Sequence, residues 1–96
     1  MVFVVDSRER DCIEFLPSWQ VKTLPVADFI IGLSGEQILP GAILIERKRV
    51  DDLESSMRDG RYREQRTRLQ EIASASGAHL LYILEGSLDR PNSYFS

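Results

Sequence analysis

Asp28-Phe29-Ile30-Ile31-Gly32-Leu33-Ser34-Gly35-Glu36-Gln37-Ile38-Leu39-Pro40-Gly41-Ala42-Ile43-Leu44-Ile45-Glu46-Arg47-Lys48 is two apolar runs with turn chemistry between them. Phe29 to Leu33 and Ala42 to Glu46 read as strands. Ser34-Gly35-Glu36 and Pro40-Gly41 supply the breakers, so the stretch predicts a β-hairpin with a connection of several residues. If the loop centres near Gln37, paired residue numbers sum to 74 and Asp28 lies opposite Glu46. Their Cβ atoms are then ~5 Å apart on one face, and like charges so placed destabilise a sheet unless something neutralises them. A divalent cation would do so, and carboxylates suit Mg²⁺ or Mn²⁺. Lys48 follows Glu46 by two residues, which puts it on the same face of a strand. A metal clamp with an ammonium alongside suits phosphodiester hydrolysis. A one-residue slip would move one acid to the other face, and a lone Glu-x-Lys is common.

Outward from the hairpin, residues 2 to 5 predict a buried strand that Asp6 ends. Residues 9 to 16 predict a short helix or turn, stopped before Pro17. Gln20 to Leu24 alternates weakly and reads as a strand. After Lys48 the period changes. Val50, Leu53 and Met57 fall at helical spacing, and Asp59-Gly60 is a stop signal. Arg61 to Ser76 predicts a longer helix, striped by Tyr62, Leu69, Ile72 and Ala73, which Gly77 can end. Leu80 to Leu84 predicts a buried strand. Strands, then helices, then a strand indicate a layered α/β or α+β domain.

The chain has 96 residues, 43% hydrophobic and 28% charged. Those values fit a single globular domain over 1–96, with a core over about 2–85 and an irregular tail over 86–96. No apolar run reaches the ~18–20 residues of a membrane span, so no membrane partner is expected. The start lacks a secretory signal, and the only cysteine is Cys12. No intrachain disulfide can form, and an intracellular compartment, nuclear or cytoplasmic, is expected. Net charge is −3, yet residues 46–68 hold eight of the twelve basic side chains and sum to +2. Such a strip is either a solvated helix laced with ion pairs or a surface that faces a polyanion.

Taken in order, the motifs resemble the nuclease domain of the XPF family of structure-specific DNA endonucleases, within the restriction-endonuclease-like PD-(D/E)XK superfamily. The family's Glu-Arg-Lys, three residues, then Asp stands as Glu46-Arg47-Lys48, Arg49-Val50-Asp51, Asp52. Its Val-Asp-x-Arg-Glu stands as Val5-Asp6-Ser7-Arg8-Glu9, and its Leu-x-Val-Gly-Asp-Tyr resembles Leu24-Pro25-Val26-Ala27-Asp28-Phe29. Its Asp-Leu-x-x-Ser…Gly-Arg-x-x-x-Gln matches Asp52-Leu53, Ser56, Gly60-Arg61 and Gln65. The resemblance covers residues 2 to 85.

It implies a mixed central sheet flanked by helices, C-terminally truncated relative to the family. It implies a Mg²⁺-dependent endonuclease (with Mn²⁺ able to substitute) acting on branched DNA such as 3′ flaps, forks or crossovers. Asp28 and Glu46 would bind the metal, Asp6 would help to hold it or its water, and Lys48 would be the catalytic lysine. Arg47, Asp52, Arg8 and Glu9 would form a supporting network. Arg61, Gln65 and Arg68, at i, i+4 and i+7, would meet DNA phosphates from one helix face. Ser56 would help a turn or contact phosphate. The family also implies a homodimer, or a heterodimer with a related subunit. The alternative is a non-catalytic DNA-binding or dimerisation subunit, a class that typically loses the signature acids or the lysine. Ala27 replaces the family's glycine, and an alanine is expected to fit an ordinary strand there. Cys12 and Trp19 are expected to pack, and His79 to sit at a strand edge.

Overall fold

The computed structural model describes residues 2–86. Five strands form one mixed sheet: β1 (Val2–Asp6), β2 (Gln20–Lys22), β3 (Phe29–Ser34), β4 (Gln37–Arg49) and β5 (His79–Glu85). Three helices accompany them: α1 (Arg10–Ile13), α2 (Val50–Asp59) and α3 (Arg61–Ser76). The strand order is β2-β1-β3-β4-β5. β1 runs antiparallel to β3, and β3 to β4. The outer strands β2 and β5 lie parallel to their neighbours. This is the mixed α/β sheet expected. From residue 87 onward the expected irregular tail lies outside the described residues.

The two faces of the sheet are covered differently. On one, Val4, Ile30, Leu33 and Leu44 pack under Leu69 and Ala73 of α3, with Leu24 and Ala27 from the loop before β3. On the other, Val5, Phe29 and Ile45 pack against Cys12, Ile13, Leu16 and Trp19 from α1 and the turn after it. Trp19 meets Phe3 and Phe29 edge-on, at centroid distances of 5.2 and 5.9 Å. Such pairs add ~0.5–1.5 kcal/mol beyond area burial, so the lone Trp is spent on packing, as expected. Alternation along β4 follows: Leu44, Glu46 and Lys48 belong to the α3 face, Ile43, Ile45 and Arg47 to the α1 face.

The hairpin differs from expectation in an instructive way. Its turn is the two-residue Gly35–Glu36, since Ser34 pairs with Gln37 and Leu33 with Ile38, a sum of 71. Ile31 then pairs with Ile43, Ile30 with Leu44 and Phe29 with Ile45, a sum of 74. One residue of β3, Gly32, thus faces four of β4, residues 39 to 42. Pro40-Gly41 builds this bulge inside a continuous strand and is not part of the turn. Gly32 is required: its φ is +104°, and a Cβ there would lie 2.9 Å from the Cβ of Ala42. The predicted register therefore holds at the far end of the hairpin, for a reason other than loop length.

Candidate active site

The site grows from the strand ends. The backbone of Asp28 is stitched between two strands: Asp6 N–H donates to its carbonyl at 2.8 Å, and its own N–H donates to the Ile45 carbonyl at 2.9 Å. Its carboxylate accepts the Arg47 backbone N–H through Oδ2 at 2.8 Å. The register that pairs Phe29 with Ile45 thus carries Asp28 level with Glu46. Ala27 immediately before it has φ +63°, in the left-handed region. The expectation of an ordinary strand at Ala27 is corrected. The chain kinks there to lift Asp28 onto the sheet end, a backbone that glycine adopts without cost.

Asp6 is 1% exposed. Its Oδ1 accepts the Leu24 N–H at 2.8 Å, and its Oδ2 accepts Arg8 Nε at 2.6 Å. Burial pushes its pKa up, but these donors outweigh burial and hold it below the ordinary value. Arg8 also donates to the Leu24 carbonyl at 3.1 Å, so the pair fastens the end of β1 to the loop before β3.

Glu46 is half-buried beside like charge. Burial first, then Asp28 and Glu9, push its pKa up to about 7, against opposing pulls from Lys48 and Arg8. Glu9 is raised as well, by burial and by Asp28, although Arg47 donates to it. Asp6, Arg8, Glu9, Asp28, Glu46, Gln65 and Arg68 line one cleft of about 400 Å³, together with the apolar Val26 and Leu69. Four carboxylates, Asp6, Glu9, Asp28 and Glu46, line it together with Gln65 and Arg68 of α3.

On the α1 face, Arg47 is fully engaged. Its Nε and Nη2 grip the two carboxylate oxygens of Glu85. Its Nη1 donates to Glu9 Oε2 at 2.9 Å and to Cys12 Sγ at 3.3 Å. The grip of Glu85, above all, raises the Arg47 pKa. Arg47 so ties β4 to α1 and to the end of β5. Nothing in the sequence patterning singles out Glu85, whose partner is 38 residues away.

Residues 5–95 match the model of the ERCC4 domain. The chain belongs to the ERCC4-domain family. It is 43% identical over 83 residues to "Crossover junction endonuclease MUS81" of Arabidopsis thaliana, a match over 81% of this chain and 12% of that protein. It is 46% identical over 70 residues to "Probable crossover junction endonuclease mus81" of Dictyostelium discoideum, over 70% of this chain and 7% of that protein. The chain therefore spans about an eighth or less of these relatives. Among solved structures, "XPF from Aeropyrum pernix" aligns over 88% of this chain and 54% of that one, with TM-score 0.46 and 21% identity.

Within this ERCC4 domain, the predicted residues separate. Asp6, Arg8, Glu9, Asp28, Glu46, Gln65 and Arg68 are brought to one cleft. Lys48 shares the face of Glu46 and lowers its pKa by its charge, but it is not among the residues that line the cleft. Four residues stand elsewhere, and one of them is Arg47 on the α1 face. Ser56 is 4% exposed, turned inward from α2, so it cannot contact a phosphate on the surface. Arg61 pairs with Asp59 at 2.9 Å and does not line the cleft. Asp52 is exposed in the first turn of α2, where its charge suits the helix dipole, and has no ion-pair partner among the described residues.

The donor set fits a hard divalent ion. No three His, Cys, Asp or Glu residues among the described ones form a complete metal-holding group. Mg²⁺ does not require one, since it is commonly held by one or two carboxylates with water and substrate phosphates completing the shell. Asp28 and Glu46 are the two carboxylates whose crowding a cation would relieve.

Proposed function

We propose that this ERCC4 domain hydrolyses phosphodiester bonds in branched DNA, with Mg²⁺ held by Asp28 and Glu46. The observation that carries the reading is the hairpin register, which sets Asp28 level with Glu46 and leaves Lys48 two residues further along the same face. The names of the MUS81 relatives, crossover junction endonucleases, support the choice of branched DNA. Bound Mg²⁺ supplies charge neutralisation at the phosphate and a more acidic water.

The chain's own residues do the rest. Lys48 places an ammonium where negative charge develops on the phosphoryl oxygens and the leaving oxygen. Asp6 acts through Asp28: it holds Arg8 and Leu24, and its N–H fixes the Asp28 carbonyl. Glu9, restrained by Arg47, sits beside Asp28 and can orient the attacking water. Gln65 and Arg68 bind the strand to be cut at the cleft rim. The family resemblance extends the reading to a dimer, which sedimentation would test against a concentration-independent monomer.

The test is cleavage of an end-labelled 3′-flap duplex by the chain with Mn²⁺, beside Lys48→Ala and a linear duplex. Cuts near the junction that vanish in the variant support the reading. No cleavage together with no calorimetric Mn²⁺ binding would replace it with the non-catalytic reading.

A further inference from the structure

The loop between β2 and β3 is a wall between two cavities. Pro25 and Val26 line the acid cleft on one side, and the same two residues line a second cavity of about 470 Å³ on the other. The wall is fastened from below. Leu24 is held at both backbone groups, its N–H by the buried Asp6 carboxylate at 2.8 Å and its carbonyl by Arg8 at 3.1 Å. The floor of the second cavity is core, since Leu24, Ile30 and Leu33 are 3%, 1% and 5% exposed.

Its mouth is polar. Lys22, Thr23 and Glu36, all exposed, stand around it. Lys22 Nζ donates to the Gly35 carbonyl at 3.2 Å, which ties β2 to the hairpin turn. The three side chains offer a donor, an acceptor and a hydroxyl that can be either. That lining selects its occupant. A phosphate is repelled by the Glu36 carboxylate, and an alkyl chain leaves all three polar groups unused. A flat ring with apolar faces and a mixed donor–acceptor edge uses both parts, and a nucleobase is such a ring. An apolar cavity with a few convergent polar groups is the usual form of a site for a molecule of that kind. Continuity with the acid cleft says where the base comes from. A nucleotide whose phosphate lies at the acids has only this one loop between it and the second cavity.

We propose that this cavity takes an unpaired base of the DNA, from the nucleotide next to the bond that is cut, turned over the Pro25–Val26 wall. The inference rests on the endonuclease reading and deepens it. Bases of an intact duplex are stacked and paired, and turning one out is costly, whereas a base at a flap or fork has already lost its partner. The cavity thus favours a cut where a strand leaves the duplex. It does so without reading sequence, because every base has apolar faces.

The test alters the DNA first and the protein second. In 3′-flap duplexes, the nucleotides on either side of the junction are replaced one at a time by an abasic tetrahydrofuran residue, which keeps the phosphate and removes the ring. Binding to the parent chain is read by fluorescence anisotropy without divalent metal. One position next to the junction should weaken binding about tenfold, comparable with losing the burial of one apolar side chain. The same residue inside a linear duplex should leave affinity unchanged. Ile38→Trp, which fills the cavity from a half-buried position on its lining, should bind intact and abasic flaps equally. Thr23→Trp, at an exposed position, serves the same purpose if Ile38→Trp melts early. Calorimetric Mn²⁺ binding should be the same in parent and filled chains. Equal affinity at every abasic position, a loss that persists in the filled chain, an equal loss in the linear duplex, or no flap binding by the parent chain would overturn the proposal. Failure of the endonuclease reading would show separately, as no Mn²⁺ binding and no cleavage by the parent chain.

Discussion

Glu46 and Arg47 are consecutive on β4, yet they sit in opposite electrostatic circumstances. Glu46, facing α3, is crowded by Asp28 and Glu9, and its carboxyl is pushed up to about 7. Arg47, facing α1, satisfies Glu9, Glu85 and Cys12 at once. The period-2 twist of a strand separates the two environments by one residue. One face keeps an unmet demand for positive charge, and the other is the fastening that holds the first in shape.

The sharpest test removes the crowding itself. Asp28→Asn should cut nuclease activity by at least about 10²–10³-fold, comparable with losing a preorganised electrostatic group. The same variant, freed of metal by chelation, should melt at a higher temperature than the parent, because Glu46 loses its repulsive neighbour. A variant both inactive and less stable would break the contrast between the two faces.

Next in size is the fastening. Arg47→Met leaves Glu9 and Glu85 without their shared donor, and should cost about 2–3 kcal/mol in urea unfolding. A change below ~0.5 kcal/mol would mean that this network behaves as a surface pair.

The pH dependence sharpens the same comparison. Glu46 titrates at about 7 when folded and near 4.5 when unfolded. Between those values the folded chain holds more protons, so stability falls as pH rises from about 4.5 to 7. The loss should be about 1–3 kcal/mol, since solvent screens part of the repulsion at a half-buried group. Asp6 has the opposite sign: its pKa is held down, so its contribution is present above 3.8 and disappears below. Metal-free chain should therefore be most stable near pH 5, and urea midpoints across pH 3 to 8 would show it. In Asp28→Asn the upper slope should flatten.

The smallest effect concerns the backbone beneath the acids. Ala27→Gly removes the left-handed strain at φ +63° and should stabilise by about 1 kcal/mol or slightly less, read as a rise in melting temperature.

Much of the fold was legible in the sequence, because strand and helix periods differ and change after Lys48. The acids at 28 and 46 were legible as a pair, although the turn between them was not. Pro40-Gly41 carries turn chemistry, and no local rule distinguishes a turn from a bulge that uses the same residues. Ser56 and Arg61 belong to motif blocks, but α2 turns one inward and Asp59 holds the other. Glu85 stayed hidden because an ion pair across 38 residues leaves no periodic trace.

The bulge opposite Gly32 has a consequence for inheritance. Its three surplus residues convert a sum of 71 at the hairpin tip into 74 at the acids. Without them, Asp28 would face Ile43, and Glu46 would stand about 10 Å further along the strand. A deletion of three codons, far from the cleft and sparing every acid, would unmake the pair. The reading frame would survive it, and so would every motif by which such a chain is recognised.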